Sequence, residues 1–147
     1  MRGNWGLAVY KPKTEANIGG LWRSAHAFGA GFLMVIGARY RRQCTDTSNA
    51  SVHIPLFHYR TLEDFLEYIP YGCQKVAVEL VEGAIPLTRF VHPAQAVYIL
   101  GGEDMTLPQS VIKHCQSVVV IPTAICLNLS TAGSIVAYDR VAKYDKS

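Results

Sequence analysis

Ile121-Pro-Thr-Ala-Ile-Cys-Leu-Asn-Leu-Ser130 is the stretch on which the reading of this chain turns. It closes the apolar run Val118-Val-Val-Ile121, which has strand length, and it opens a helical periodicity that continues to about Lys143. Pro122 stops the strand, and Asn128 stands where its side chain can cap the helix that follows. A strand that gives way to a loop and then a helix is where α/β proteins place their chemistry. The same arrangement recurs upstream. Leu100-Gly-Gly-Glu103 follows the apolar run from Ala96, and Asn17-Ile-Gly-Gly-Leu-Trp-Arg23 follows the run Trp5–Tyr10, which Pro12 stops. Each is weak alone, because a Gly-Gly-acid segment is most often a turn and an asparagine before an apolar stripe is most often a cap.

The remaining elements are consistent with these three. Phe32–Gly37, His53–His58 and Gln74–Val81 read as further strands, and Gln43–Ser51 as a loop or broken helix. Helices are expected from an Asn17 cap to Phe28, from a Thr61-x-x-Asp64 capping box to Ile69, from Pro108 to His114, and from Asn128 to Lys143. Strands alternating with helices predict an α/β fold, a mainly parallel sheet with helices on both faces. On the first helix Ile18, Leu21, Trp22 and Ala25 form the apolar stripe. Gly19, Gly20, Arg23 and Ala27 lie opposite, so a backbone or a ligand is expected to come close there. The glycines Gly101 and Gly102 are expected to admit a flat ligand and a tight bend of positive φ. The last helix carries a small-residue stripe (Leu129, Ala132, Gly133, Val136, Ala137) and a second apolar one (Ile135, Tyr138, Val141, Ala142). The sheet covers one side, and a second subunit is expected to cover the other.

At 147 residues, half of them hydrophobic, the chain is expected to be one globular domain with no separate RNA-binding extension. No apolar run approaches a membrane span and the N-terminus lacks a signal-peptide core, so a soluble cytoplasmic protein is expected. Cys44, Cys73, Cys115 and Cys126 are widely scattered and the histidines form no zinc-like pair, so no metal site is expected. The patterns of a Rossmann dinucleotide site, a P-loop and a hydrolase nucleophile elbow are all missing from the sequence. A net charge of +3 is only mildly basic. The local cluster Arg39-Tyr-Arg-Arg42, together with Arg60, is the better candidate for contacting RNA phosphates and bases.

Taken jointly, the three segments resemble the motifs of the SPOUT class of RNA methyltransferases, specifically its TrmH-like ribose 2′-O-methylases, over roughly residues 4 to 142. The resemblance implies a deep C-terminal trefoil knot and S-adenosylmethionine as cofactor. By position, the cofactor would be held by Val78, Glu79, Leu100, Gly101, Gly102, Ile121, Cys126, Leu127, Leu129 and Ser130. It implies methyl transfer to a ribose 2′-hydroxyl of RNA, with Arg23 as the central catalytic residue. Asn17, Glu103 and Asn128 would hold Arg23 and the ribose. A homodimer is implied as well. Cys126 occupies a position that is usually serine in such proteins, and Asp104-Met-Thr replaces a glycine-bearing turn. The chain length resembles the minimal members that methylate tRNA at the wobble position, so tRNA is the expected substrate. The alternative is a knotted RNA-binding protein without catalysis.

Overall fold

Strands buried on both faces read as continuous apolar runs, because neither set of alternating side chains meets water. Phe32-Leu-Met-Val-Ile36 is such a run, and every residue in it is buried. The computed structural model of the protein describes residues 4–37, 54–103 and 105–144. Its strands are β1 (Trp5–Tyr10), β2 (Phe32–Ile36), β3 (Leu56–Tyr59), β4 (Gln74–Val78), β5 (Ile85–Pro86), β6 (Ala96–Gly101) and β7 (Ser117–Val120). All are parallel, in the order β3-β2-β1-β6-β4-β7-β5. The helices are α1 (Glu15–Ala27), α2 (Leu62–Tyr68), α3 (Gln109–Ile112) and α4 (Leu129–Tyr144), with a 3-10 turn at Leu87–Arg89.

Alternation along the strands sorts the core into two layers. Leu7, Val9, Leu33, Val35, Tyr98 and Leu100 pack with the apolar stripes of α1 and α4. Ala8, Met34, Ile36, Val97 and Ile99 pack with Phe65 of α2 and Val111 of α3. The sheet is therefore covered on both faces, as its uninterrupted apolar runs require. No helix among the described residues is long and apolar enough to cross a membrane.

Several boundaries differ from the sequence expectation for local reasons. The strand from Gln74 ends at Val78, not Val81, because the Glu79 carboxylate accepts from the N–H of Leu80 (2.9 Å) and of Leu107 (2.7 Å) and turns the chain away. Helix α3 ends at Ile112, since His114 and Cys115 tighten into bonds to Val111 and Ile112 carbonyls. Strand β5 is too short to leave a periodic signal. The Thr61 cap forms as expected, its hydroxyl accepting from Asp64 N–H at 3.1 Å. Asn17, by contrast, does not cap α1. The helix begins at Glu15, Thr14 occupies the cap position, and Asn17 lies inside the first turn. Gln43–Ser51 lies outside the described residues.

Small residues let α1 and α4 approach closely. A side chain at Gly133 would place its Cβ 2.2 Å from Leu21 Cδ1, and Ser134 Oγ lies 2.7 Å from Ser24 Oγ. This corrects one expectation: the small-residue stripe of α4 is covered by α1 of the same chain and is not a surface left for a second subunit. The stripe that faces outward is the other one, where Tyr138 is 63% exposed and meets Phe28 edge-on.

The far end of α4 is fixed by a buried polar cluster. His92 lies 2.6 Å from the Tyr98 hydroxyl through Nδ1 and 2.7 Å from Asp139 through Nε2. Arg140 donates to Tyr98 and to the carbonyls of Pro93 and Ala94. Burial lowers the His92 pKa, the Asp139 contact opposes this, and Lys143 and Arg140 lower it further, leaving the ring below its ordinary value. The unfolded chain thus takes up this proton before the folded one does. Stability falls as pH drops through about 6.5 toward the folded-state value. Thermal melts between pH 7.5 and 5.5 should show this slope, and His92→Gln should flatten it.

Candidate active site

The expected site segments leave from neighbouring strands, which is why they meet. Tyr10 is in register with Gly101, Leu100 with Val78, and Val78 with Val119. Strands β1, β6, β4 and β7 therefore end side by side, and their loops emerge together at the carboxyl edge of the sheet. The close packing of α1 on α4 then brings the first turns of both helices to that edge.

Glu103 is the centre of the arrangement. Its carboxylate accepts from Lys13 N–H at 2.8 Å, Thr14 N–H at 3.2 Å, the Thr14 hydroxyl at 2.7 Å and Asn17 Nδ2 at 2.5 Å. Asn17 Oδ1 in turn accepts from Asn128 Nδ2 at 3.0 Å. Asn128 Oδ1 caps α4 by accepting from Ser130 and Thr131 N–H. One hydrogen-bonded chain thus joins residues 111 positions apart. Partial burial works to raise the Glu103 pKa. The bonds from Lys13, Asn17, Thr14 and its own N–H outweigh burial and hold the carboxyl at about 2. Glu103 is an anchored anion at the N-terminus of α1, where the helix dipole favours negative charge. Lys13 and Thr14 were not among the sequence candidates, although a threonine directly before the acidic first-turn residue Glu15 is itself a helix-start signal.

Arg23 stands apart from this chain. It is exposed, six residues beyond Asn17, roughly 9 Å along the helix axis and about 120° around it. Among the described residues it has no hydrogen-bond or ion-pair partner, so Asn17, Glu103 and Asn128 hold one another and not Arg23. The role of the glycine pair also differs from the expected one. Neither Gly101 nor Gly102 has positive φ. Gly102 is required because its Cβ would lie 2.2 Å from the Lys11 carbonyl oxygen. Of the cofactor candidates, Val78, Glu79, Leu100, Gly101, Gly102 and Ile121 sit at the strand ends, Cys126 and Leu127 lie between β7 and α4, and Leu129 and Ser130 open α4. Cys126 is exposed with a free thiol and makes no hydrogen bond among the described residues. Arg60 is exposed just beyond β3, while Arg39, Arg41 and Arg42 lie outside the described residues.

Comparison with known proteins fits this geometry. The sequence pattern of the SpoU rRNA Methylase family matches residues 5–138. The chain belongs to that family. Among solved structures, the SpoU methyltransferase AviRb from Streptomyces viridochromogenes in complex with AdoMet superposes with a TM-score of 0.86 at 21% identity, covering 100% of this chain and 60% of that one. A structure concerning 2-OH methylation of C/U34 on tRNA gives 0.80 at 24% identity, over 97% and 91% of the two chains. The A. aeolicus TrmH/SpoU tRNA modifying enzyme gives 0.80 at 19% identity, over 98% and 77%. The chain spans about 60% of the length of AviRb. No curated protein matches it. This SpoU-family chain thus shares an all-parallel α/β architecture with those structures.

Proposed function

We propose that this SpoU-family chain transfers a methyl group from S-adenosylmethionine to a ribose 2′-hydroxyl of RNA, with tRNA as substrate. In this reading it acts as a homodimer with a trefoil knot at the C-terminal half of the sheet. The observation that carries the reading is the Glu103–Asn17–Asn128 chain. It unites the three motif segments at the strand edge, in a family whose structures include an AdoMet complex.

The residues at that edge suit the cofactor. Leu80, just beyond β4, and Ile125, in the loop after β7, expose 74% and 78% of their surfaces. The backbone amides of residues 123–127 donate to nothing among the described residues. Apolar side chains beside unused backbone donors are what a flat, nitrogen-rich base needs. When bound, S-adenosylmethionine would supply an electrophilic methyl group. Leu100 to Gly102, Ile121 and Cys126 to Ser130 would hold it, with Val78 and Glu79 at the neighbouring strand end.

The chain's own residues would then orient the acceptor. Each amide of Asn17 and Asn128 has two N–H hydrogens and uses one of them within the network, so one from each is left to meet a ribose oxygen. Glu103, held at about 2, is too weak a base to take the hydroxyl proton near neutral pH. Its task is to fix Asn17. Arg23 would grip an RNA phosphate through its planar guanidinium and align the nucleotide. Arg39, Arg41, Arg42 and Arg60 would add phosphate contacts.

Titration calorimetry with S-adenosylmethionine and S-adenosylhomocysteine tests this first. Micromolar binding is expected. Absence of binding, with bulk tRNA present, would overturn the catalytic reading.

A further inference from the structure

Outside the Glu103 network, the carboxyl edge carries a second grouping of aromatic and cationic side chains. Register places Tyr10 beside Ile36 and Ile36 beside Tyr59, so these three form one row across β1, β2 and β3 on the α2 side of the sheet. Tyr68, at the end of α2, extends the row. Its ring lies 6.2 Å from that of Tyr59 and 17° from parallel, and 66% of the residue is exposed. Tyr59 is steadied from below by Phe65, edge-on at 6.0 Å. Tyr10 and Tyr59 are half-buried against the core beneath, and Tyr68 is the open end of the row.

Lys11 borders the row, and Arg60, an exposed residue, directly follows Tyr59 in the chain. Lys11 has φ of 52°, and it is the one non-glycine residue with positive φ among the described residues. For a lysine this is strained backbone, and such strain gathers at functional positions. Its N–H bonds to Ile36 O at 2.7 Å, and its Nζ lies 5.4 Å from the Tyr10 ring centroid. Gly37 separates it from Arg60: a Cβ there would lie 3.4 Å from Lys11 Cγ and 3.6 Å from the Arg60 carbonyl oxygen. Asp64 precedes Tyr68 by one helical turn on the same side of α2. Its carboxylate, with Glu63 and Glu67 further round, repels phosphates from that end. The cationic end and the aromatic end therefore favour different parts of a nucleotide.

We propose that this row, Tyr10–Tyr59–Tyr68 bordered by Lys11 and with Arg60 following Tyr59, is a shelf for unpaired nucleotides of the RNA substrate. Bases stack at the Tyr68 end and the sugar–phosphate chain runs past Lys11 and Arg60 toward Glu103. The proposal rests on the RNA reading of the site and adds that the RNA must be single-stranded there. In a duplex the base faces are already stacked and beyond reach. From β3 to β6 is three strand spacings, roughly 14 Å, so the shelf would hold nucleotides flanking the reacting one.

The test is fluorescence anisotropy of the full chain with a short labelled oligoribonucleotide, free or annealed to its complement. The free strand should bind more tightly. Tyr68→Ala should weaken that binding by roughly 5- to 150-fold, and Tyr68→Phe should retain it. Lys11→Asn keeps a residue that tolerates positive φ and should reduce the slope of log affinity against log salt by about 0.7. Calorimetry with S-adenosylmethionine on each variant should match wild type, which shows the cofactor side intact. Free-strand affinity indifferent to Tyr68→Ala, or tighter binding of the duplex, would overturn the shelf while leaving methyl transfer standing. Tyr68-dependent binding of the free strand by a protein that binds no S-adenosylmethionine would support the shelf and refute catalysis.

Discussion

If the chain transfers methyl groups to RNA as proposed, Arg23→Ala should lower that rate by about 10²-fold or more, the size expected when a group that aligns the nucleotide is removed. Affinity for S-adenosylmethionine should stay within about twofold of wild type. The split follows from position. Arg23 is exposed on α1, partnerless among the described residues, and away from the Glu103–Asn17–Asn128 chain, so its loss takes nothing from the fold. Arg23→Lys should recover only part of the rate, because an ammonium lacks the planar fork that grips a phosphate through two bonds. Single-turnover methylation of the identified RNA, paired with calorimetry, measures both quantities. Full activity in Arg23→Ala would end the assignment.

Gly102→Ala acts on the opposite quantity, stability. The new Cβ would lie 2.2 Å from the Lys11 carbonyl oxygen, 2.8 Å from its carbon and 3.0 Å from Pro12 Cα. All three atoms are backbone, so no flexible side chain can move aside. The ends of β1 and β6 must part, straining the bond from Gly102 N–H to Tyr10 O at 2.8 Å. We expect a loss of about 2–3 kcal/mol, or about 4–12 °C in melting temperature for a domain of this size. Glu103 is the next residue, so its anchorage on Lys13 and Thr14 should loosen too. Gly19→Ala is the control. Nothing lies within 4 Å of its added Cβ, and alanine is the better helix former by about 1 kcal/mol. Equal melting of Gly102→Ala and wild type would show that the two strand ends are not in contact.

These two variants also mark how far the sequence can be read. The α1 stripe of Ile18, Leu21, Trp22 and Ala25 is buried as its periodicity requires. The Thr61 cap and the Asn128 cap form where short-range chemistry puts them. Asn17 misled, because Thr14 and Asn17 both suit a helix start, and the Asn17 side chain is instead engaged by Glu103 from 86 positions away. The glycine pair misled in another way. A glycine that permits positive φ and one that permits a close backbone approach look the same in sequence, and Gly102 is the second kind.

From the sequence alone came the α/β class, the two-sided burial of the sheet and the segments that would form the site. Periodicity, capping and turn preference act within a few residues, and they leave their record locally. Tertiary structure alone decided that Glu103 anchors the segment leading into α1, that the small stripe of α4 is spent on α1, that Arg23 stands clear of the network, and that Lys11 borders a row of tyrosines. Those outcomes depend on strand order and on which helices touch, and they join residues whose separation along the chain carries no pattern.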